Sequence, residues 1–246
     1  MKILYHTKYV FARREFRVIL KKEVDPTNLF LIIPCGVLLL GVSAVHLFTC
    51  YYPYPKTRNA TKVLLMPLLC ALYIVSVPEP RLLVIGALLF GWLGDILLLF
   101  QQKQLLLFLG VCAFALGHHC YMAAMVTLQP VFSILILIPI VLCVFWLIFV
   151  TKKLLPYTPR PLKLPGFFYA LVLSCTALSA LYMLLLTKRL PFLIAFFGGT
   201  FFMLSDALLT GQHYRKELRH GSFYVMLTYL IAQGLLVLGL ILLGGN

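Results

Sequence analysis

Two aspartates lie inside long apolar stretches of the sequence, where charged residues are rare. Asp95 lies in FGWLGDILLLF (90–100) and Asp206 in GGTFFMLSDALLT (198–210). They are the only two of the seven acidic residues inside stretches long and apolar enough to cross a membrane. An aspartate at the centre of a membrane helix costs roughly 2.5–3.5 kcal/mol, so such residues face the bundle interior or a wet cavity and mark candidate functional sites. A structural role, in which the carboxylate binds hydroxyl groups of a neighbouring helix, is the alternative.

A pair of carboxyl groups in a shielded pocket suits hydrolysis by acid–base catalysis. One carboxylic acid donates a proton, while a second, ionised carboxylate stabilises positive charge or activates water, as in glycoside cleavage. Different surroundings can hold one acid protonated and the other ionised near neutral pH. The sequence leaves open which aspartate is the acid. The same pair would also suit the proton or ion relay of a transporter or channel.

The elements that must position these acids are membrane helices. The chain has 246 residues, of which 62% are hydrophobic and 11% charged, whereas soluble domains are about 45–50% apolar and about 25% charged. This composition predicts an all-α, multi-pass membrane protein with a bundle of about eight transmembrane helices, in the endoplasmic reticulum membrane if the source is eukaryotic. The predicted spans are 28–49, 62–77, 81–100, 104–128, 131–150, 166–187, 190–210 and 222–243.

The sequences around the two aspartates indicate an internal repeat. Asp95 and Asp206 are 111 residues apart, and His118 maps onto Tyr229 at that offset. Identical residues recur at the same offset: Phe90 and Phe201, Leu93 and Leu204, Gly110 and Gly221. The pattern predicts tandem four-helix repeats, 28–128 and 131–243, within a membrane domain that covers 28–246. Parallel repeats place their site at the interface between them.

The basic residues are distributed as in a membrane protein. The net charge is +14, and the N-terminal tail, residues 1–27, holds seven Lys or Arg. The others lie mainly in loops, at the ends of apolar spans, where they orient the protein and contact lipid headgroups. Nucleic-acid binding, which needs a basic face on a soluble domain, is not expected. The lipid bilayer is the expected partner, and the oligomeric state is left open.

The topology brings several polar side chains to one side of the membrane. Asp95 and Asp206 lie shortly before the ends of the third and seventh spans, and Tyr229 lies near the start of the eighth. Lys62 opens the second span on the same side. All four therefore fall in the leaflet that faces the more basic loops, which suits an anionic lipid headgroup.

The adjacent histidines His118 and His119 cannot easily serve one site together. Neighbouring residues on a helix point about 100° apart, so only one of them should face the interior. The apolar spacing favours His118, which lies deeper in its span than Asp95. A zinc site built from Asp95, His118 and Asp206 is an alternative, although such sites are usually richer in His and Cys. We expect neither a metal nor a cofactor.

Four stretches together resemble the lysoplasmalogenase (YhhN-like) family of eight-span membrane proteins. They are FGWLGDILLLF (90–100), FALGHHCY (114–121), FFMLSDALL (201–209) and LTYLIAQ (227–233). Their order and spacing match over about residues 55–240, which leaves the N-terminal tail outside the resemblance. The resemblance implies hydrolysis of the vinyl ether bond of lysoplasmalogens. The products would be a fatty aldehyde and glycerophospho-ethanolamine or glycerophosphocholine.

The resemblance also implies roles for individual residues. The catalytic set would be Asp95, Asp206, His118 and Tyr229, in which the two acids form the pair and the other two hold water or shuttle protons. The substrate-binding set would be Lys62, near the phosphate, with Tyr121, Ser205 and Gln233. Tyr169 occupies a familiar position, and Thr176 departs from the family, which often has methionine there. A metal-dependent lipid hydrolase and a transporter are the competing interpretations.

Overall fold

A computed structural model describes residues 26–52, 54–126, 133–214 and 218–244. These residues form eight long α-helices and no strand, with a short 3-10 helix, Ile134–Ile136, ahead of the fifth. Of the predicted basic tail, only Pro26 and Thr27 lie within the described residues, as the first residues of the first helix. The helices are α1 (Pro26–Tyr51), α2 (Pro55–Ser76), α3 (Leu82–Leu98), α4 (Gln104–Val126), α5 (Leu137–Lys153), α6 (Arg160–Thr187), α7 (Leu190–Tyr214) and α8 (Gly221–Gly244).

The predicted all-α membrane bundle is confirmed. Each predicted span corresponds to one helix, and seven of the described helical segments are long and apolar enough to cross a membrane. The shorter α3 has 17 residues. Two helices begin earlier than the apolar runs suggest, α2 at Pro55 and α6 at Arg160. Each has a proline in its first turn, where the fixed φ angle and missing N–H are well tolerated. The first turns are polar, so the apolar pattern places the start of each helix too late.

The helices surround a common interior, into which the polar residues project. Contacts close a ring in the order α1, α2, α3, α4, α6, α7, α8 and back to α1, while α5 packs against α6. The closest partners are α3 with α4 and α7 with α8. Large apolar side chains such as Phe30, Leu40 and Phe145 are exposed on the outer faces, as expected for helices that contact lipid. The predicted four-plus-four repeat stays a prediction.

Two glycines allow helices to approach closely near the acids. A Cβ atom added at Gly94, next to Asp95, would lie 2.7 Å from the ring of Phe114 on α4. A Cβ atom added at Gly198, on α7, would lie 2.6 Å from the backbone nitrogen of Leu236 on α8. Small residues at such crossings let membrane helices pack backbone to backbone. These glycines therefore help to set the positions of the helices that carry the two aspartates.

The Gly198→Ala substitution is expected to destabilise the bundle. The added methyl group meets backbone, which cannot move without separating α7 from α8, and overpacking of this kind costs about 1–3 kcal/mol. Thermal unfolding in detergent should show a lower midpoint. Gly211→Ala on the same helix is the matched control, because a Cβ atom there meets nothing within 4 Å. Equal midpoints for the two variants would contradict the close packing of α7 on α8.

Candidate active site

One cavity of about 730 Å³ is lined by residues from all eight helices. It reaches the surface at the end of the bundle where α2 begins and where α3 and α7 end, because its lining includes the exposed residues Asn59, Gln102 and His213. Its other lining residues include the buried Phe114 and Phe202. The cavity is therefore polar where it opens and apolar where it meets the core, which suits an amphiphilic molecule.

Asp95 lies on the cavity wall as half of an ion pair. Its exposed fraction is 2%. The Nζ atom of Lys62, from the second turn of α2, lies 3.3 Å from Oδ1 of Asp95, and the hydroxyl of Tyr229, from α8, donates to Oδ2 at 2.6 Å. Each carboxylate oxygen thus has its own partner, a cation on one side and a phenol on the other.

Asp206 lines the same cavity in a different environment. It is half-buried on α7, and the hydroxyl of Tyr169, from α6, donates to its Oδ2 atom. Among residues 26–52, 54–126, 133–214 and 218–244, the single ion pair is that between Lys62 and Asp95. The described partner of Asp206 is therefore neutral. The two carboxyl groups face one space but are held by groups of different charge.

Aromatic rings hold Tyr229 in place. Its ring meets the ring of Phe114 edge to face with centroids 6.2 Å apart, and the ring of Phe202 at 5.5 Å. Pairs of this geometry are worth about 0.5–1.5 kcal/mol beyond the area they bury. The packing limits the rotation of the tyrosine side chain, so its hydroxyl stays directed at Asp95.

Five of the eight residues predicted for the site line the cavity. They are Lys62, Asp95, Ser205, Asp206 and Tyr229. The hydroxyl of Ser205 donates to the backbone oxygen of Val225 at 3.0 Å, so this serine also ties α7 to α8. The polar cluster that topology predicted on one side of the membrane is present at one end of the bundle.

The remaining three predicted residues lie outside the cavity lining. Tyr121 on α4 donates to Oε1 of Gln233 on α8 at 2.8 Å, and both side chains are buried. His118 is 2% exposed and packs against Phe202, with ring centroids 4.3 Å apart. Neither of its ring nitrogens has a hydrogen-bond partner among the described residues. As expected for adjacent helical positions, His119 is exposed while His118 is buried.

The alternative zinc set is not assembled in the described part of the chain. Within it, no group of three or more His, Cys, Asp or Glu side chains lies close enough to hold one ion. The contact of His118 with Phe202 rather than with Asp95 or Asp206 explains this result.

Tyr169 and Arg58 are among the lining residues that received no role from the sequence. Tyr169 binds Asp206, and Arg58 lines the polar end of the cavity one turn before Lys62. Residues 162, 166, 169 and 173 of α6 share one helix face and all line the cavity, but apolar residues surround α6, so the sequence did not mark this face. Arg58 precedes the apolar run that marks α2, so the sequence pattern assigns it to the loop.

A comparison with protein families supports the resemblance noted in the sequence. A model of the YhhN family matches residues 57–240, more than half of the chain. The matched region contains Lys62, both aspartates and Tyr229. Searches of curated proteins and of solved structures gave no match. The chain belongs to the YhhN family, which is the lysoplasmalogenase family.

Proposed function

We propose that this membrane protein hydrolyses the vinyl ether bond of lysoplasmalogens, with release of a fatty aldehyde and glycerophospho-ethanolamine or glycerophosphocholine. The observation that carries the proposal is the pair of carboxyl groups on one cavity, Asp95 beside a cation and Asp206 beside a phenol. Membership of the lysoplasmalogenase family supports a hydrolase of this kind. The endoplasmic reticulum stays a prediction for the location in a eukaryotic cell.

The shape and polarity of the cavity suit a lysophospholipid. A glycerophospho headgroup requires a polar opening, and an alkenyl chain requires an apolar interior. The cavity has both, with Asn59 and Gln102 at its opening and Phe114 and Phe202 in its lining. The ether bond lies between headgroup and chain, so it would be placed near the two acids, which lie between these regions on their helices.

The contacts of the two acids assign them different roles. A nearby cation and a phenol O–H both favour an ionised carboxylate, so we assign Asp95 as the carboxylate that stabilises positive charge and takes a proton from water. No described cation lies within ion-pair distance of Asp206, which accepts a hydrogen bond from Tyr169. A carboxylic acid can accept that bond through its carbonyl oxygen while keeping its own proton. We therefore assign Asp206 as the general acid.

The first step would be protonation of carbon. The Asp206 carboxylic acid gives its proton to the vinyl carbon β to the ether oxygen, and the double-bond electrons form the new C–H bond. The α carbon and the ether oxygen then share the positive charge of an oxocarbenium ion. The Asp95 carboxylate stabilises that charge. The ion pair with Lys62 holds the carboxylate in position.

The second half of the reaction restores both acids. Water adds to the α carbon, and Asp95 takes the released proton, which gives a neutral hemiacetal. Asp95 then returns this proton to the glycerol oxygen as its C–O bond breaks, while Asp206 takes the proton of the hemiacetal hydroxyl. The products are an aldehyde and a free glycerol hydroxyl group. One water is consumed, and each carboxyl group ends in its starting state.

The remaining predicted residues support this scheme from their observed positions. Tyr229 orients Asp95 through its hydrogen bond. The buried hydrogen bond between Tyr121 and Gln233 joins α4 to α8, the helix that carries Tyr229. His118 lies off the cavity lining, so no proton transfer step is assigned to it. Its expected part in holding water stays a prediction.

An assay in D₂O tests the proposed reaction. Purified protein in detergent should release aldehyde from a lysoplasmalogen but no fatty acid from an acyl lysophospholipid of equal chain length. Aldehyde trapped as an oxime as it forms should carry a single deuterium on the carbon next to the carbonyl, because that carbon receives the proton from Asp206. Release of unlabelled aldehyde would contradict protonation at carbon. Absence of aldehyde would favour a transporter, which needs a sealed bilayer to act.

A further inference from the structure

We propose that Arg58 binds the phosphate of the lysophospholipid at the opening of the cavity and thereby selects phospholipids over uncharged ether lipids. The inference rests on the proposed function, because it names how that substrate is recognised. It also separates two roles for the cations of α2: Lys62 holds a catalytic carboxylate, and Arg58 holds the substrate.

Lys62 is already engaged. Its Nζ atom lies 3.3 Å from Oδ1 of Asp95, and the side chain is only 17% exposed. A phosphate bound to the same ammonium group would stand beside a buried carboxylate, and like charges at that range repel strongly. It would also weaken the ion pair on which Asp95 depends. Another cation is therefore needed for the phosphate.

Arg58 meets this need. It lies in the first turn of α2, is half-buried and lines the cavity. Among the described residues no carboxylate lies within ion-pair distance of its guanidinium group. Asn59 and Gln102, which line the polar end of the cavity, are uncharged. Guanidinium groups bind phosphate through paired N–H···O bonds, and they do so better than an ammonium group does.

The spacing on α2 agrees with the dimensions of the substrate. Arg58 and Lys62 are four residues apart, which puts them on one face of the helix with a rise of about 6 Å between them. Five covalent bonds join phosphorus to the vinyl ether oxygen of a lysoplasmalogen, a length of about 6 Å when extended with bonds near 1.5 Å. A phosphate on Arg58 would therefore place the ether oxygen near Lys62, and thus near Asp95 at 3.3 Å from that lysine.

Binding of non-hydrolysable analogues tests Arg58 without relying on turnover. The probes are a saturated 1-O-alkyl lysophosphocholine and a 1-O-alkylglycerol of equal chain length, titrated calorimetrically into the full-length protein in detergent. Arg58→Gln should raise the Kd for the phosphate-bearing probe about ten- to hundredfold, the value of a lost charge-assisted hydrogen bond. The Kd for the alkylglycerol should not change. Lys56→Gln is the matched control, because Lys56 lies on the same turn but is exposed and off the cavity lining.

Turnover assays with the same variants separate the two proposals. With a lysoplasmalogen, Arg58→Gln should raise KM by a similar factor and change kcat little, while Arg58→Lys should recover part of the loss. If wild-type protein binds both analogues equally, or if Arg58→Gln keeps the preference for the phosphate, the Arg58 inference is overturned. If binding depends on Arg58 but no aldehyde is released, the phosphate site stands and the proposed reaction falls.

Discussion

Replacing Asp206 by Asn should lower kcat for aldehyde release by a factor on the order of 10²–10⁴, the usual value of a general acid. The amide has the size of the acid but no proton to give to the vinyl carbon. KM should change little, because Asp206 is assigned to the chemical step and not to headgroup binding. The measurement is aldehyde release under saturating lysoplasmalogen, compared with wild-type protein at equal concentration.

The stability of this variant gives a second, independent result. If Asp206 works as a neutral acid, the side-chain amide introduced by Asp206→Asn can accept the hydrogen bond from Tyr169 through its carbonyl oxygen. The thermal midpoint should then stay close to that of wild-type protein. Glu79→Gln is the matched control for loss of an acidic residue, because Glu79 is exposed between α2 and α3. Full activity in Asp206→Asn would exclude Asp206 as the acid.

Most of the fold could be predicted because the membrane imposes strong constraints. Each span needs about 20 apolar residues, so the eight helices stand out in the sequence. Asp95 and Asp206 stand out for the same reason, since charges inside such runs are expensive. The alternation of helices across the membrane was enough to place Lys62 and Tyr229 at the same end as the acids, where the structure puts them.

The rotation of each helix about its axis was harder to predict. Depth follows from a rise of 1.5 Å per residue, but the direction of a side chain depends on which neighbours pack around it. That His118 faces the interior was predicted correctly, but the packing of its ring on Phe202 was not. The hydrogen bond between Tyr169 and Asp206 joins α6 to α7. Apolar residues lie on every face of α6, so the sequence does not show which face of this helix points to Asp206.

The pairing of Lys62 with Asp95 could not be read from the sequence either. The two residues are 33 positions apart, on helices whose relative height depends on where α2 begins. The apolar run suggested a start near residue 62, but α2 begins at Pro55, so Lys62 lies inside the helix rather than at its end. The ammonium group of Lys62 therefore lies deeper than the cavity opening, and Arg58 lies nearer to the opening. The proposed roles, Lys62 as partner of Asp95 and Arg58 as phosphate ligand, depend on this arrangement.

Replacing Lys62 by Met should harm both stability and activity, because it leaves the buried Asp95 carboxylate without its cation. Loss of one partner of a buried ion pair costs on the order of 3–5 kcal/mol when the remaining charge stays unpaired. Both side chains are mostly buried, at 17% and 3% exposed, so solvent screens the interaction little. Thermal unfolding in detergent should show a lower midpoint. Turnover should also fall, since an Asp95 that takes up a proton can no longer stabilise the oxocarbenium ion.

Two further variants separate the charge of Lys62 from its packing. Lys62→Arg keeps a cation and should retain most of the stability, whereas the double variant Lys62→Met/Asp95→Asn removes both charges and should recover much of the midpoint lost in Lys62→Met. The double variant should stay inactive, because the carboxylate is missing. A double variant no more stable than Lys62→Met would show that the methylene stem, and not the ion pair, stabilises this part of the bundle. The ion pair would then no longer support the assignment of Asp95 as the ionised partner of Asp206.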